Sequence, residues 1–340
     1  MKTILVTGGL GYIGSHTVVE LLNNDYNVII IDNLSNSELF ILDRIGLITK
    51  KKPDFYELDV RNSVALNEII RNYSSIDGII HFAAFKAVNE SINKPLEYYD
   101  NNLNSLISIL RVIDENNLNN LVFSSSCTVY GQPDKLPVTE DTPFKEAWSP
   151  YGFTKQICES IIKDYSKTKN KFKAVSLRYF NPVGAHRSGL IGELPKGVPN
   201  NLMPYITQTA VGIRKELSVY GDDYNTPDGT AIRDYIHVSD LATAHLKALD
   251  YLWLQENKYY DEFNIGTGIG YSVLDVINSI NKFIDKPLPY KIVEKREGDA
   301  EKIWALPDKA NNILGWHPVY NLDDMTSTSL NWERQLKNSL

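Results

Sequence analysis

Thr7-Gly8-Gly9-Leu10-Gly11-Tyr12-Ile13-Gly14 is the stretch on which the reading of this chain turns. It follows a short apolar run, Ile4-Leu5-Val6, and opens an amphipathic one in which Ile13, Thr17, Val18, Leu21 and Leu22 share a helical face. Glycines 9, 11 and 14 fit the dinucleotide fingerprint, and Gly8 makes a second spacing of three with Gly11 and Gly14. A strand must turn tightly into a helix while its backbone approaches a pyrophosphate, and the helix N-terminus supplies N–H donors to the anion. Glycine turns are common, so the motif alone says little. Here strand, turn, helix, a second strand (Val28 to Ile31) and a terminal Asp32, 18 residues beyond Gly14, come in order. That context predicts a Rossmann-type unit.

Asp32 bears on which dinucleotide is bound. A carboxylate at the end of the second strand accepts hydrogen bonds from a ribose 2′-hydroxyl and repels a 2′-phosphate. Asn33, Leu34, Ser35 and Asn36 bring no Arg or Lys to bind such a phosphate. Capping a turn is the other role open to Asp32. The pattern favours NAD over NADP.

With 340 residues the chain is long enough for two domains, or for one large α/β unit with an appended lobe. Hydrophobic residues make up 43% and charged residues 23%, the ordinary balance of a globular protein. No apolar stretch approaches the ~20 residues of a membrane span, and the chain opens on a strand rather than an apolar leader. Cys127 and Cys158 offer neither a disulfide framework nor metal-ligand spacing. We therefore expect a cytoplasmic protein with free thiols, no metal and no membrane partner. A net charge of −7 argues against nucleic acid. An anionic small ligand would need a local basic site.

Strands are expected at Ile4–Val6, Val28–Ile31, Phe55–Leu58, Ile79–Phe82, Leu121–Ser124 and Val175–Tyr179, with helical patterns between them. The clearest helix has Tyr99, Leu103, Leu106, Leu110 and Ile113 on one face. Such alternation indicates α/β architecture: a doubly wound parallel sheet covered by helices on both sides. From about residue 182 Gly- and Pro-rich loops begin, as a smaller mixed α/β lobe would require. Asp234 to Asp250 reads as a strand-helix continuation and Phe263–Gly266 as one more buried strand. The expected division is a dinucleotide-binding domain over residues 1–181, re-entered at about 234–267, and a substrate lobe over 182–233 and 268–340. Ligands sit outside the carboxyl ends of such strands, which brings Gly8–Gly14, Asp32, Asp59, Ala83–Lys86, Ser124–Ser126 and Tyr179–Pro182 to one crevice.

Tyr151 and Lys155 follow Pro150, a favourable helix start, and at i and i+4 they share a face. A tyrosine is a poor base at neutral pH, but a neighbouring ammonium and a positive nicotinamide ring would favour its phenolate. Lowering the pKa by about three units requires roughly 4 kcal/mol. An exposed helical pair would look the same. The fifth strand adds weight, because it ends in Ser124-Ser125-Ser126-Cys127-Thr128-Val129-Tyr130-Gly131. A hydroxyl there can bond the same substrate oxygen that the tyrosine deprotonates.

With glycine fingerprint, serine run and Tyr-x-x-x-Lys in order, the chain resembles the extended short-chain dehydrogenase/reductases, and within them the UDP-glucose 4-epimerases. The likeness runs nearly end to end. It is most distinctive at Thr7–His16, Lys94–Asn102, Ser124–Gly131, Ser149–Lys155, Arg178–His186, Pro199–Tyr205, Gly229–Asp240 and Arg296–Asp299. The resemblance implies an isomerase that inverts C4 of UDP-galactose and UDP-glucose through a transient 4-keto sugar, with NAD tightly bound. Tyr151 would be the acid/base, Lys155 would hold the ribose and tune Tyr151, and Ser126 would bridge to the sugar 4-hydroxyl. NAD would lie against Gly8, Gly11, Tyr12, Ile13 and Gly14, with Asp32, Asn33, Asp59 and Val60 at its adenosine end. Phe82, Lys86 and Asn101 would line the nicotinamide end with Tyr179, and Ala83 and Ser124 would also bind the cofactor.

Lys86 would also meet the substrate, and Asn181, Asn201, Leu202, Ser218, Tyr220, Arg233, Arg296 and Asp299 would hold the UDP. The two arginines suit a pyrophosphate independently of the resemblance, although either could be a surface ion-pair partner. In the family, exclusion of N-acetylated sugars goes with a tyrosine four residues beyond the Arg-Glu-Gly-Asp aspartate. Here that place is Ile303, which implies some acceptance of UDP-N-acetyl sugars, unless Ile303 serves only the core. A homodimer is expected through the helical patterns at 97–115 and 152–167. Two other readings keep the fold: a nucleotide-sugar 4,6-dehydratase, and a non-catalytic NAD-binding protein. The first would need an Asp-Glu pair where Cys127-Thr128-Val129 stands, and the second commonly loses the tyrosine, the lysine or a glycine.

Overall fold

The computed structural model describes residues 1–295 and 300–339. Its first half alternates β1 (Thr3–Thr7), α1 (Tyr12–Asn23), β2 (Asn27–Asp32), α2 (Phe40–Thr49), β3 (Asp54–Glu57) and α3 (Ser63–Arg71). There follow β4 (Gly78–His81), α4 (Val88–Asn93), α5 (Pro95–Glu115), β5 (Asn120–Ser126), α6 (Pro150–Thr168) and β6 (Lys173–Tyr179). The second half holds β7 (Asn181–Val183), α7 (Leu202–Ala210), β8 (Leu217–Tyr220), β9 (Ile232–His237), α8 (Val238–Leu254) and β10 (Tyr259–Ile265). It ends with β11 (Gly270–Ser272), α9 (Val273–Asn281), β12 (Tyr290–Val293), β13 (Lys302–Ile303) and α10 (Leu322–Ser339).

Seven strands form one sheet in the order β10-β6-β5-β4-β1-β2-β3, every pairing parallel. Both faces are covered, so its central strands read as unbroken Ile/Val/Leu runs. Alternate residues go to opposite cores. Ile4, Val6, Val28 and Ile30 pack with Val18, Leu21, Ile45 and Leu249 of α1, α2 and α8. Leu5, Ile29 and Ile31 pack with Leu66, Ile70, Leu106, Ile109 and Ile162 of α3, α5 and α6. From β1 the chain proceeds to β2 on one side and later to β4 on the other. A crevice therefore opens where these strands' carboxyl ends diverge.

Asp234–Asp250 is a strand and helix, β9 and α8, but β9 pairs with β7, β11 and β13 in a separate four-stranded sheet. The chain returns to the first unit with α8, which packs in the same core as α1, and with β10, which pairs with β6. The remaining sheet is β8 with β12. A third core, with Met203, Ile206, Val219, Ile277, Met325 and Leu330, lies under these elements. Among the described residues, no helix is long and apolar enough to cross a membrane.

Burial keeps a set of histidines neutral. His16, His81 and His245 are lowered to about 3 and His237 to about 4. Below the ordinary value of 6.5 the unfolded chain takes up protons that the fold does not, so stability falls as pH falls. Between pH 8 and pH 6 these four groups together cost about 3 kcal/mol. Burial also pushes Asp240 up to about 6, an opposing effect of about 0.4 kcal/mol at pH 6. The expected result is a melting temperature several degrees lower at pH 6 than at pH 8. An equal or higher value at pH 6 would contradict the neutral burial of these rings.

Candidate active site

The turn after β1 is built by close approach. Gly8 has φ +68°, a left-handed conformation, and a Cβ there would lie 2.9 Å from the Ala83 backbone N. At Gly14 the constraint is space: a Cβ would stand 2.2 Å from Gly8 O and 2.9 Å from Gly9 Cα. Gly11 caps α1, whose first residue, Tyr12, donates its hydroxyl to Gly184 O at 2.6 Å. The following Ile13 packs against the core. Asp32 is buried. Its Oδ1 accepts from Leu34 N (3.0 Å) and Ser37 Oγ (2.8 Å), and its Oδ2 from Leu10 N (3.0 Å). Turn capping is thus one of its roles. An ionised carboxylate has about four acceptor positions, and the one remaining on Oδ2 suits a ribose hydroxyl. Turn, helix N-terminus and carboxylate together fit a dinucleotide lacking a 2′-phosphate.

Asn33 donates to Asp59 Oδ2 at 3.4 Å, while Asp59 is mainly held by Arg61, 2.8 Å away, which keeps its carboxyl below the usual range. Val60 is buried in the core. Asn101 is buried and donates to Asn102 Oδ1 at 3.0 Å.

The chemistry-bearing groups stand where β5 ends and α6 begins. Ser149 caps α6 by accepting from Gly152 N at 3.2 Å, and Pro150 occupies its first position. These features place Tyr151 in the first turn and Lys155 one turn on. Lys155 is 3% exposed and donates to the Ser124 carbonyl at 2.7 Å. Its Nζ lies 5.8 Å from the Tyr151 ring centroid. Ser126 Oγ accepts from Thr128 N (3.2 Å) and Thr128 Oγ1 (3.0 Å).

Burial sets the protonation of Tyr151 in the protein by itself. Burial pushes the Tyr151 phenol up to about 12, against a smaller lowering from its hydrogen bond with Ser126. Lys155 is itself brought down to about 8 by burial. The expectation is that this ammonium and a bound nicotinamide ring together favour the phenolate. The ammonium is bonded to Ser124 O and stands 5.8 Å from the ring, so desolvation wins. The chain's own charges leave Tyr151 a phenol.

Phe82 and Tyr179, expected at the nicotinamide end, meet at a residue the sequence reading missed. His245, on the buried face of α8, has its Nδ1 2.8 Å from Leu241 O and its Nε2 2.5 Å from the Tyr179 hydroxyl. Since a carbonyl only accepts, Nδ1 carries the proton and Tyr179 donates to Nε2. The Phe82 ring lies 4.7 Å from the His245 ring, centroid to centroid. Glu193 was missed as well. It bonds Lys86 Nζ at 3.0 Å and Asn201 Nδ2 at 2.8 Å, which links the loop after β4 to the N-terminus of α7.

A further pair, Glu159 and Arg178, lies beneath the site. Arg178 forks onto Glu159 with Nη2–Oε2 at 2.7 Å and Nε–Oε1 at 3.0 Å, and Ser125 Oγ donates to the same carboxylate. A carboxylate one turn beyond Lys155 on its own face, and a charge inside an apolar strand, were visible signals. Glu193 sits in a Gly/Pro-rich loop with no period and carried none.

Of the expected substrate residues, Arg233 on β9 lies opposite Ile303 on β13 and acts electrostatically on Cys127. Burial nevertheless pushes the Cys127 thiol up to about 12. Ile303 is 6% exposed and packs with Val129, Tyr130, Val138, Phe180 and Cys127. Asn181 pairs opposite Tyr235, and Leu202 opens α7. Ser218 and Tyr220 are on β8, apart from this cluster, opposite Lys291 and Val293. Arg296 and Asp299 lie outside the described residues.

A Rossmann sheet with a Ser/Tyr/Lys group at the end of β5 defines an extended short-chain dehydrogenase/reductase. Consistent with this, residues 5–328 match the family described as GDP-mannose 4,6 dehydratase. The chain belongs to the UDP-glucose 4-epimerase family. It is 49% identical over 330 residues to the UDP-glucose 4-epimerase of Dictyostelium discoideum, covering 97% of this chain and 95% of that protein. The structure of UDP-glucose 4-epimerase from Stenotrophomonas maltophila, with bound NAD and formylated UDP-arabinopyranose, superposes with a TM-score of 0.97 at 43% identity over 100% of both chains. That from Bifidobacterium longum, in complex with NAD+ and UDP, gives 0.95 at 47%, again over 100% of both.

Proposed function

We propose that this chain interconverts UDP-galactose and UDP-glucose by inverting C4 of the sugar, with NAD held throughout the cycle. The observation that carries this reading is the convergence of Ser126, Tyr151 and Lys155 at the end of β5, two strands from the glycine turn in the same parallel sheet. When bound, NAD supplies reversible hydride exchange with C4. Tyr151, partly open to the crevice, would act as the phenolate that a positive nicotinamide ring beside it favours. In that form it takes the C4 hydroxyl proton and later returns it, and Ser126 orients that hydroxyl. Lys155 contributes its positive charge. Asn181, Asn201, Leu202, Ser218, Tyr220, Arg233, Arg296 and Asp299 grip the UDP, so the sugar alone is free to turn over. A 4,6-dehydratase is disfavoured because Cys127-Thr128-Val129 holds no carboxylate. The test is to mix purified protein with UDP-galactose, add no cofactor, and follow UDP-glucose. Conversion supports the whole reading. Activity restored only by added NAD would refute tight retention, and none in either case would overturn the function.

A pH dependence follows from Lys155. With its ammonium titrating at about 8, the charge is present below that pH and lost above it. We expect kcat to fall tenfold per unit on an alkaline limb beginning near pH 8. A flat profile to pH 10 would refute the role.

UDP-N-acetyl sugars are also turned over to some degree. This is supported by Ile303, smaller than tyrosine, opposite Arg233 and against Cys127. No turnover of UDP-N-acetylgalactosamine at saturation would leave Ile303 to the core alone. The chain works in the cytoplasm as a homodimer, supported by exposed Leu96 and Phe153 on α5 and α6. Light scattering at the monomer mass would contradict that assembly.

A further inference from the structure

Three consecutive serines end β5, and each engages a different turn of α6. Ser126 bonds Tyr151, the Ser124 carbonyl accepts from Lys155 at 2.7 Å, and Ser125 Oγ donates to Glu159. Residues 151, 155 and 159 are spaced by four, so they rise along one face of the helix. The third rung is the most deeply buried and the most heavily bonded. Ser125, Glu159 and Arg178 are 1%, 2% and 3% exposed. Arg178 places three further contacts within 3.2 Å of the Glu159 carboxylate through Nε and Nη2. Its Nη1 bonds Tyr130 OH at 3.0 Å and Glu140 O at 3.2 Å. Tyr130 in turn donates to Asn264 Oδ1 on β10 at 2.6 Å. The rung is thereby anchored to β6, β10 and the turn after β5.

We propose that Glu159, clamped by Arg178, is a positioning residue of the reaction: it locks the third turn of α6 to the serine run and so sets where Tyr151 and Lys155 stand. This rests on the function proposed above. The argument is geometric. The first turn of a helix frays unless something downstream fixes its register, and reacting groups displaced by about 1 Å lose roughly 10²-fold in rate. A bidentate guanidinium–carboxylate pair is the least compliant side-chain clamp available. Hydrophobic packing of α6 alone would hold the helix but would tolerate sliding. Glu159 also places a negative charge one turn from Lys155, where it favours the ammonium. The other titratable groups acting around Lys155 are Cys158 on α6 and His81 from β4. Glu262 from β10 faces Arg178 at 3.7 Å.

The experiment uses NAD-loaded protein and UDP-galactose. Removing Glu159 alone would strand a buried arginine, so the informative variant is the charge-neutral pair Glu159→Gln/Arg178→Met, of a kind that buried ion pairs commonly tolerate. We expect kcat to fall about 10- to 100-fold with KM within about threefold, and the alkaline limb of the kcat profile to move to lower pH by roughly half a unit or more. Ser125→Ala keeps both charges and loosens only the rung. It should lower kcat about three- to tenfold and leave the limb where it is. A double variant matching the parent in both kcat and limb overturns the proposal. Where the double variant does not fold, Ser125→Ala with parental kcat overturns it. A parent that does not epimerise instead defeats the functional reading itself.

Discussion

Tyr151→Phe lowers kcat for UDP-galactose epimerisation by about 10²–10⁴-fold while the protein stays folded and keeps its NAD. The substitution removes one oxygen and leaves the ring in the space it fills at the head of α6. On the proposed mechanism, what is lost is the acceptor for the C4 proton, and the geometry offers little replacement. Ser126 accepts from Thr128 through two contacts of 3.2 and 3.0 Å, and Lys155 donates to the Ser124 carbonyl. Because burial pushes the phenol up to about 12, the hydroxyl is a group whose deprotonation has to be helped, and that help is useless once the oxygen is gone. Steady-state assay of both proteins at equal NAD occupancy measures the effect. A variant within tenfold of the parent would mean that another group moves the proton.

Gly14→Ala acts through a different route. A methyl group there would meet Gly8 O at 2.2 Å and Gly9 Cα at 2.9 Å. Both are backbone atoms, so no rotamer change relieves the clash, and α1 must move away from the turn or the turn must open. Either shift displaces the N–H groups proposed to face the pyrophosphate. Overpacking of this kind costs about 1–3 kcal/mol, and if that cost falls on the bound state, NAD affinity drops by about 5- to 150-fold. Ultraviolet absorbance of nucleotide released from the purified protein reads this directly. Gly46→Ala is the control. A Cβ there meets nothing nearer than Lys51 O at 3.8 Å in mid-helix, so it should stabilise by about 0.5–1 kcal/mol. Equal NAD content in parent and Gly14→Ala would show that the turn accommodates a methyl group.

The fold was legible wherever the decisive interactions are local in sequence. β1, the glycine turn, α1, β2 and Asp32 form a continuous run of 30 residues, and period, turn chemistry and end residue agree there. β9 was legible as a strand but its partners were not, since residues 232–237 carry no mark telling them to pair with 181–183 and 302–303 rather than with the first sheet. The site divides in the same way. Tyr151, Lys155 and the serine run declare themselves by spacing. His245 looks like any polar residue on an amphipathic helix, and its bond to Tyr179 spans 66 positions. The burial of Tyr151 was illegible for a related reason: the Lys155 charge is written in the sequence, whereas the surrounding protein that desolvates the phenol is assembled from distant segments.

The position of β10 at the rim of the seven-stranded sheet bears on how the protein is made. A chain leaving the ribosome presents β1 to β6 first, and at that moment β6 has an open row of N–H and C=O groups along one side. The strand that covers them, Tyr259–Ile265, is synthesised some 80 residues later. Until then the nascent unit carries a hydrophobic edge of the kind that recruits other chains. A fragment ending near residue 181 should therefore aggregate instead of folding, even though it carries the glycine turn, Asp32, Tyr151 and Lys155. The sheet begun by the first half of the chain is completed by a strand from the second.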